Sequence, residues 1–340
     1  MRAAIFHGSG HPLTVGEVPR PTPGPGEALV KVAACGFCHT DLHYLDHAVP
    51  TAKVPPLILG HEISGVVEEL GPGGSERSVG DRVLVPSVLP CGNCEYCRSG
   101  RDNICPHLTM PGNHIDGGFA QYVRVPARDL VPLPPDLDLA RSAVIADALT
   151  TPYHAVVDRA RVRSGDWVVV VGCGGVGINA VQFAKAVGAN VIAVDLRAEK
   201  REAALRLGAC EALDPTEYPD LGREVRKRSG GGADVALEVV GKPETVGLAL
   251  STLRRGGRLC VVGYSDSVAP IPLNRLMFFE YEIVGSLGCR RVDYPRVIEM
   301  VRQGTVNLDA VVTGILPLDR IGEAAEDLRN GKGLRTLIVP

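Results

Sequence analysis

The chain is poor in aromatic residues, which form 4% of its 340 residues and include a single Trp. Its cores must therefore be packed mainly from Val, Leu, Ile and Ala. No stretch approaches the roughly 20 uninterrupted apolar residues of a membrane-spanning helix, so we expect no membrane partner. The first residues, MRAAIFHGSG, lack the apolar core of a signal peptide. These two absences predict a cytoplasmic protein.

An excess of charge of one sign is also missing. The formal net charge is -3 at pH 7 and both signs are interspersed, so the chain has no basic patch of the kind that a phosphate backbone requires. We therefore expect no nucleic-acid partner. Cysteine, by contrast, is frequent. Ten cysteines in a reducing compartment indicate metal binding rather than disulfide bonds.

Hydrophobic periodicity divides the chain into two domains, as its length also suggests. Up to about residue 130, short β runs alternate with Gly and Pro, which predicts an irregular β-rich domain. A helical stretch then begins at Asp138 and ends at residues 163–165. The Asp138 side chain is expected to cap the first amide groups of that helix.

From Asp166 onward, apolar strands of four to six residues alternate with amphipathic helices. This β-α-β rhythm predicts a doubly wound parallel sheet that is covered on both faces. The rhythm breaks after residues 280–288, and the tail is expected to return to the first domain. We therefore predict an α/β fold with one domain at 1–150, completed by 290–340, and the other at 151–289.

Four cysteines lie close together in the run CGNCEYCRSGRDNIC. Their spacing lets one short loop wrap four thiolates tetrahedrally around a single Zn²⁺. Such a site is closed to water and substrate, so it shapes a loop and does not catalyse. Two disulfide bonds are the alternative, against which the absence of an export signal counts. The proposed ligands of this structural zinc are Cys91, Cys94, Cys97 and Cys105.

A glycine-rich loop follows the apolar strand VVVVG and precedes a helix, the context in which such a loop binds a dinucleotide pyrophosphate. About 20 residues further on, Asp195 ends the next strand, where its carboxylate can accept hydrogen bonds from both ribose hydroxyls and favours NAD. Arg197, two residues later, leaves NADP open, and a glycine-rich turn without a nucleotide is the remaining alternative. The loop residues expected at the cofactor are Gly172, Gly174, Gly175, Val176 and Gly177.

These motifs occur together with CGFCHTDLH, GHEISGVVEELG, VGDRV and DGGFAQY, in a fixed order along essentially the whole chain. In this combination the chain resembles the zinc-dependent alcohol dehydrogenases of the medium-chain dehydrogenase/reductase superfamily. The resemblance implies a GroES-like catalytic domain beside a Rossmann NAD-binding domain. It also implies two Zn²⁺ ions per chain, and a homodimer or homotetramer formed by sheet-edge pairing of the nucleotide domains.

By the same resemblance, a catalytic Zn²⁺ is expected at Cys38 and His61, with Glu62 behind the metal as an alternate ligand and Asp41 orienting the His61 ring. Where many members have a third ligand Cys, this chain has Asp147. In the alternative, Asp147 only caps or packs, and Zn²⁺ uses Cys38, His61 and Glu62.

The resemblance implies that Thr40 passes on the substrate proton and that His43 relays it to solvent, although His43 could also be a plain surface histidine. Other residues are expected along the nicotinamide, and Arg335 on the pyrophosphate. The residues expected along the nicotinamide are Thr151, Val262, Gly263, Ser286 and Leu287.

The expected function is the reversible transfer of a hydride between a primary, secondary or cyclic alcohol and NAD, giving an aldehyde or ketone. A polyol or sugar dehydrogenase of the same superfamily is the first alternative and would need a more polar pocket. A non-catalytic, nucleotide-binding zinc scaffold is the second. Such a scaffold would be expected to lose the ligands that this chain retains.

Overall fold

The computed structural model describes residues 1–73 and 75–340, which form two compact units. The first unit comprises Met1–Thr150, Cys289–Gln303 and Leu308–Pro340, and the second comprises Thr151–Gly288 and Gly304–Asn307. Assigning all of 290–340 to the first domain was therefore wrong for residues 304–307. The reason is a pair of hydrogen bonds within the second unit, from Asn307 N to Gln182 Oε1 at 2.7 Å and from Gln182 Nε2 to Asn307 O at 3.4 Å.

Both units are built from short strands and helices. The strands are β1 (Arg2–Phe6), β2 (Thr14–Glu17), β3 (Glu27–Phe37), β4 (Leu57–Ile58), β5 (Glu62–Leu70), β6 (Arg82–Val85), β7 (Tyr122–Pro126), β8 (Val131–Pro132), β9 (Trp167–Val171), β10 (Asn190–Val194), β11 (Glu211–Leu213), β12 (Ala233–Glu238), β13 (Leu253–Val261), β14 (Glu282–Gly285), β15 (Val312–Pro317) and β16 (Arg335–Val339). The α-helices are α1 (His39–Asp46), α2 (Glu95–Arg98), α3 (Thr150–Tyr153), α4 (Gly177–Val187), α5 (Ala198–Arg206), α6 (Leu221–Ser229), α7 (Pro243–Thr252), α8 (Leu273–Phe278), α9 (Asp293–Arg302) and α10 (Ile321–Arg329).

The first unit is organised around β3, which pairs antiparallel with β5 and β16 in a sheet of order β15-β16-β3-β5-β6-β8 and also pairs with β7. Two register shifts within the β3–β5 pair bend the strands. The register places Gly36, near the end of β3, opposite Glu62, at the start of β5. Cys38 and His61 flank these two positions, so the sheet register brings them close to each other.

The second unit contains a parallel sheet of order β11-β10-β9-β12-β13-β14. Strand order reverses between β9 and β12, so the carboxyl ends of these neighbouring strands form the crevice where doubly wound sheets bind their ligands. The four valines of β9, from Val168 to Val171, are at most 2% exposed, as expected for a strand that is covered on both faces. The predicted doubly wound sheet is confirmed.

The single helix expected from Asp138 to residues 163–165 is wrong. Asp138 caps as predicted, because its Oδ1 accepts the N–H of Arg141 at 2.7 Å. A 3₁₀ helix, Arg141–Ala146, then stops at Asp147, where the backbone leaves the helical region with φ -144° and ψ -57°. Helix α3 and a π-helical turn at His154–Arg159 follow. The break leaves the Asp147 side chain outside a regular helix.

The sequence analysis did not predict every helix and strand of the structure. Helix α7 begins at Pro243, with Pro in the first turn. Among the described residues, no helix combines the length and the apolar character needed to cross a lipid bilayer. The elements that the sequence analysis missed are β2, β4, β8, β11, β15, α1, α2, α6 and α8.

Candidate metal and nucleotide sites

The four cysteines of the run at 91–105 surround one point. Sγ of Cys94 lies 3.5 Å from Sγ of Cys97 and 3.7 Å from Sγ of Cys105, and Sγ of Cys91 lies 3.9 Å from Sγ of Cys97. Tetrahedral ligands at about 2.3 Å from Zn²⁺ would be roughly 3.8 Å apart, whereas sulfurs in a disulfide are about 2.05 Å apart. All ten cysteines are free thiols. The cluster therefore has the geometry of a closed metal site, and the disulfide alternative does not fit.

The Cys91 and Cys97 thiols of this cluster differ in acidity. The backbone hydrogen bond from Asn93, opposed by burial, lowers the pKa of Cys91 to about 6. Desolvation, followed by the hydrogen bond with Cys94, raises the pKa of Cys97 to about 12. Ionising one thiol therefore suppresses ionisation of its neighbour. A dication at the centre removes this conflict because it stabilises all four thiolates at once.

Two arginines fasten this loop to the rest of the first unit. Arg128 Nη2 donates to the carbonyl of Cys91 at 3.2 Å, and the N–H of Arg291 donates to Asp102 Oδ2 at 3.1 Å. The guanidinium of Arg291 also pairs with the buried Asp129 at 3.2 Å. The cysteine loop is thus part of the framework of the unit and not a loose appendage.

A second cluster forms where β3, β5 and the break after the 3₁₀ helix meet. One ligand atom from each of its residues lies within 4.8 Å of the others. His61 Nε2 is 3.7 Å from Asp147 Oδ2, and its Nδ1 is 3.9 Å from Asp41 Oδ1. Nε2 therefore faces the cluster, while Asp41 lies on the opposite side of the ring beyond hydrogen-bond distance. The members of the cluster are Cys38, His61, Glu62 and Asp147.

These residues fit a zinc ion. His61 Nε2 and Glu62 Oε2 are buried without a hydrogen-bond partner among the described residues, which is costly unless a cation is bound. Burial favours a neutral His61 ring, but the nearby Asp147 and Cys38 outweigh it and raise the pKa of His61 well above its usual value. The cluster therefore attracts positive charge. A thiolate, an imidazole and a carboxylate are the donors that catalytic zinc uses.

Arg335 belongs to this cluster, and its expected contact with the pyrophosphate stays a prediction. The side chain is buried, and its Nη2 pairs with Glu62 Oε1 at 3.2 Å while its Nη1 donates to the carbonyl of Phe37 at 3.2 Å. Burial raises the pKa of Cys38, but the Arg335 charge and the neighbouring His61 ring outweigh it, and the pKa is lowered. Arg335 thus favours the thiolate form of Cys38. The sequence shows no signal for this role, because β16 lies about 270 residues from β5 and only the sheet unites them.

Glycines and a packed cysteine shape the same cluster. Gly60 has φ +95°, and a Cβ there would lie 2.7 Å from Cys35 Sγ. A Cβ at Gly36 would collide with Glu62 Oε2. Cys35 itself is fully buried, and burial raises the pKa of its thiol well above the usual value. Cys35 is therefore a packing residue.

Helix α1 carries the residues that were expected to move protons. Cys38 precedes the helix, and its N–H donates to Asp41 Oδ2 at 2.9 Å. The hydroxyl of Thr40 lies 3.7 Å from Cys38 Sγ, which places it beside the ligand cluster. His43 follows one turn later. Its Nδ1 is 3.1 Å from Nδ1 of His47, a contact that the sequence analysis did not anticipate.

In the second unit, the glycine-rich loop lies at the carboxyl end of β9 and leads into α4. Gly172 has φ +93°, and a Cβ on Gly177 would collide with the Gly172 carbonyl, whereas a Cβ on Gly174 would meet nothing within 4 Å. The loop is thus tight on one side and open on the other, as close approach of a pyrophosphate requires. Between these glycines, Cys173 is buried, and desolvation raises its pKa to about 12, so it is a filler residue.

Asp195 is held beside this loop. Its Oδ2 accepts the N–H of Cys173 at 2.7 Å, and its Oδ1 accepts the N–H of Arg197 at 2.9 Å. Val262 and Gly263 follow β13, and their N–H groups both donate to the Glu238 carbonyl. The remaining expected cofactor residues of the unit lie in α3 and in the segment that follows β14. These residues are Thr151, Ser286 and Leu287.

Comparison with known proteins identifies the family of the chain. The family model "Alcohol dehydrogenase GroES-like domain" matches residues 24–135, and "Zinc-binding dehydrogenase" matches residues 175–303. The chain is 36% identical over 333 residues to an alcohol dehydrogenase of Geobacillus stearothermophilus, covering 98% of this chain and 97% of that protein. The fold and the site thus define a two-domain, zinc-binding type of dehydrogenase.

Solved structures of alcohol dehydrogenases are also similar to this chain. The crystal structure of the alcohol dehydrogenase from the archaeon Aeropyrum pernix has a TM-score of 0.91 at 36% identity, with 100% of both chains covered. A structure described as an NAD-dependent alcohol dehydrogenase has a TM-score of 0.92 at 32% identity, again with 100% of both chains covered. The chain belongs to the zinc-type alcohol dehydrogenase family of the medium-chain dehydrogenase/reductase superfamily.

Proposed function

We propose that this protein is an NAD-dependent zinc alcohol dehydrogenase that interconverts primary, secondary or cyclic alcohols with aldehydes or ketones. The observation that carries the proposal is the cluster of buried Cys38 and His61 with half-buried Asp147, in which His61 Nε2 has no hydrogen-bond partner among the described residues. A non-catalytic scaffold has no need of such a costly arrangement. The relatives named as alcohol dehydrogenases support the reaction class.

Several residues of the chain would have separate roles in this reaction. A zinc ion at the cluster supplies Lewis acidity that lowers the pKa of an alcohol, and NAD supplies the hydride acceptor. The Thr40 hydroxyl accepts the alcohol proton at the edge of the cluster, and His43 carries it along α1. Arg335 keeps Cys38 ionised and holds Glu62 by its carboxylate. Asp147 is then the third protein ligand, in place of the Cys that many members have.

A polyol or sugar dehydrogenase is the second candidate, and one observation favours it. Tyr44 is buried, and its hydroxyl accepts a hydrogen bond from Asn113 Nδ2 at 2.6 Å. The Asn113 amide is oriented by its Oδ1, which accepts the N–H of Ala52 at 3.1 Å. Among the titratable groups that act on the Tyr44 hydroxyl are His61, Asp41 and Cys38. Tyr44 thus adds a polar group near the cluster, as a substrate with several hydroxyls would require.

A substrate screen tests the proposal. Purified zinc-loaded protein is incubated with NAD and with matched primary, secondary, cyclic and polyol substrates, and NADH formation is measured. Turnover of simple alcohols supports the proposal, and turnover confined to polyols supports the second candidate. If the folded protein contains zinc and binds NADH but oxidises no substrate, it is a scaffold and the proposal is wrong.

Asp195 is expected to select NAD over NADP. Changing Asp195 to Asn should weaken NADH use by about tenfold or more, because a hydrogen bond to a charged group contributes roughly 1.5–3 kcal/mol. The same change removes the negative charge that a 2′-phosphate would meet, so the kcat/KM ratio of NADPH to NADH should rise. Asp214→Asn is the matched control, since Asp214 follows the neighbouring strand β11. An unchanged ratio in Asp195→Asn would assign cofactor choice to other residues.

We further propose that the protein forms a homodimer through β14. Among the described residues this edge strand pairs with β13 alone, and sheet edges with apolar surroundings promote association. Phe278→Glu should convert a dimer to a monomer in sedimentation velocity, while Val54→Glu in the first unit should not. A dimeric Phe278→Glu variant would place the interface elsewhere. The apolar residues around this edge, between 38% and 89% exposed, are Tyr264, Val268, Leu273, Met277, Phe278 and Ile283.

A further inference from the structure

A line of proton-carrying groups follows one face of α1. Thr40, His43 and His47 are spaced at i, i+3 and i+7, so they lie on the same side of the helix. The line begins at the metal cluster, where the Thr40 hydroxyl is 3.7 Å from Cys38 Sγ. It ends at His47, the C-cap of the helix, whose ring is exposed and whose N–H donates to the His43 carbonyl at 3.2 Å. The face therefore connects a buried site with the protein surface.

The last two members of this line, called here the histidine pair, are in direct contact. Nδ1 of His43 is 3.1 Å from Nδ1 of His47, and the ring centroids are 5.2 Å apart at an interplanar angle of 49°. If neither Nδ1 atom carried a proton, the two lone pairs would repel each other, and if both carried one, the two N–H groups would repel each other. The contact is therefore favourable only when one proton lies between the two rings.

The surroundings disfavour charge on His43, the inner ring of the histidine pair. Burial lowers the pKa of His43, and the charge of His47 lowers it further. On the same helix, the pKa of Asp46 is lowered chiefly by its hydrogen bonds with Arg329 and also by His47. Arg329, from α10, holds both Asp46 oxygens at 2.8 Å and also pairs with Glu326 at 3.5 Å. A proton that reaches His43 is thus poorly held there, which favours its onward transfer.

We propose that His47 is the terminal proton carrier of this enzyme and acts through His43. The inference rests on the proposed alcohol oxidation, in which one proton leaves the substrate through Thr40. As His43 accepts that proton on Nε2, it passes its Nδ1 proton to Nδ1 of His47, and His47 releases its Nε2 proton to water. One proton enters the pair and one leaves it. Exchange of ring protons with water restores the starting tautomers between turnovers.

The experiment compares the zinc-loaded enzyme with His47→Gln, whose side chain keeps hydrogen-bonding capacity but cannot carry a proton. Without the like charge of His47, the second protonation of the pair disappears and His43 becomes more basic. The rising limb of kcat for alcohol oxidation should move to higher pH, and kcat at pH 6 should fall about three- to tenfold. Added imidazole should restore part of the loss. His11→Gln, which changes an exposed histidine of the same unit, is the control and should show neither effect.

Ring-nitrogen NMR of the intact enzyme gives a second readout that does not depend on turnover. In the wild type, burial and the charge of His47 should lower the pKa of His43, and in His47→Gln the His43 signal should titrate at higher pH. An active enzyme whose pH profile and His43 titration are unchanged by His47→Gln overturns the relay alone. A wild type that oxidises no alcohol overturns the proposed function and the relay together, so the two failures are distinguishable.

Discussion

Changing Cys38 to Ser is expected to reduce kcat/KM for alcohol oxidation by at least about 10³-fold. A serine hydroxyl stays neutral and binds zinc poorly, so the cluster loses its thiolate together with the several kcal/mol of Lewis-acid stabilisation that the metal supplies. Metal analysis should fall from two zinc ions per chain to one. The remaining zinc should be the one in the cysteine run at 91–105. Cys210→Ser, at an exposed thiol, is the matched control.

The same assay identifies the third ligand. Arg335 already holds Glu62, so Asp147→Asn should release zinc whereas Glu62→Gln should retain it. The opposite pattern would support the alternative set of Cys38, His61 and Glu62. If Cys38→Ser keeps both zinc ions and full activity, the cluster is not the catalytic metal site.

Changing Cys97 to Ser should remove the other zinc and lower the melting temperature by at least about 10 °C. Structural zinc contributes its binding free energy to folding, and for a chain of this size about 1 kcal/mol shifts the melting temperature by roughly 2–4 °C. The loss should be large here because Arg128 and Arg291 fasten the cysteine loop to the first unit. Calorimetry and metal analysis of the same sample provide the measurement.

Cys38→Ser is the reciprocal control for this prediction. Both variants remove one sulfur and one expected zinc, but only Cys97→Ser removes a closed site that shapes a loop. The cysteine loop would have no structural role if Cys97→Ser lost its zinc and still melted like the wild type. Equal losses of stability in the two variants would show that bound metal, and not this loop in particular, stabilises the fold.

Local patterns in the sequence were sufficient for much of the fold. The strand-to-helix turn at Gly172–Gly177, the alternation after Asp166 and the capping by Asp138 depend on neighbouring residues, and the structure contains all three. The break at Asp147 was not predicted, since apolar residues with helical spacing on both sides gave no sign of it. Short strands such as β11 have too few residues to show a period of two.

The sequence by itself determined which chemistry is available to this protein. Cysteine spacing over a few residues indicated a closed zinc site, and a glycine-rich turn followed by Asp195 indicated a dinucleotide site. These signals are readable because the atoms that act together are neighbours along the chain.

Only the tertiary structure decided which distant residues act together. The register of β3, β5 and β16 brings Cys38, His61 and Arg335 into one buried cluster, where Arg335 pairs with Glu62. The orientation of the α1 side chains likewise made the histidine pair visible. Burial and ion pairing depend on contacts between strands far apart in sequence, which no local pattern records.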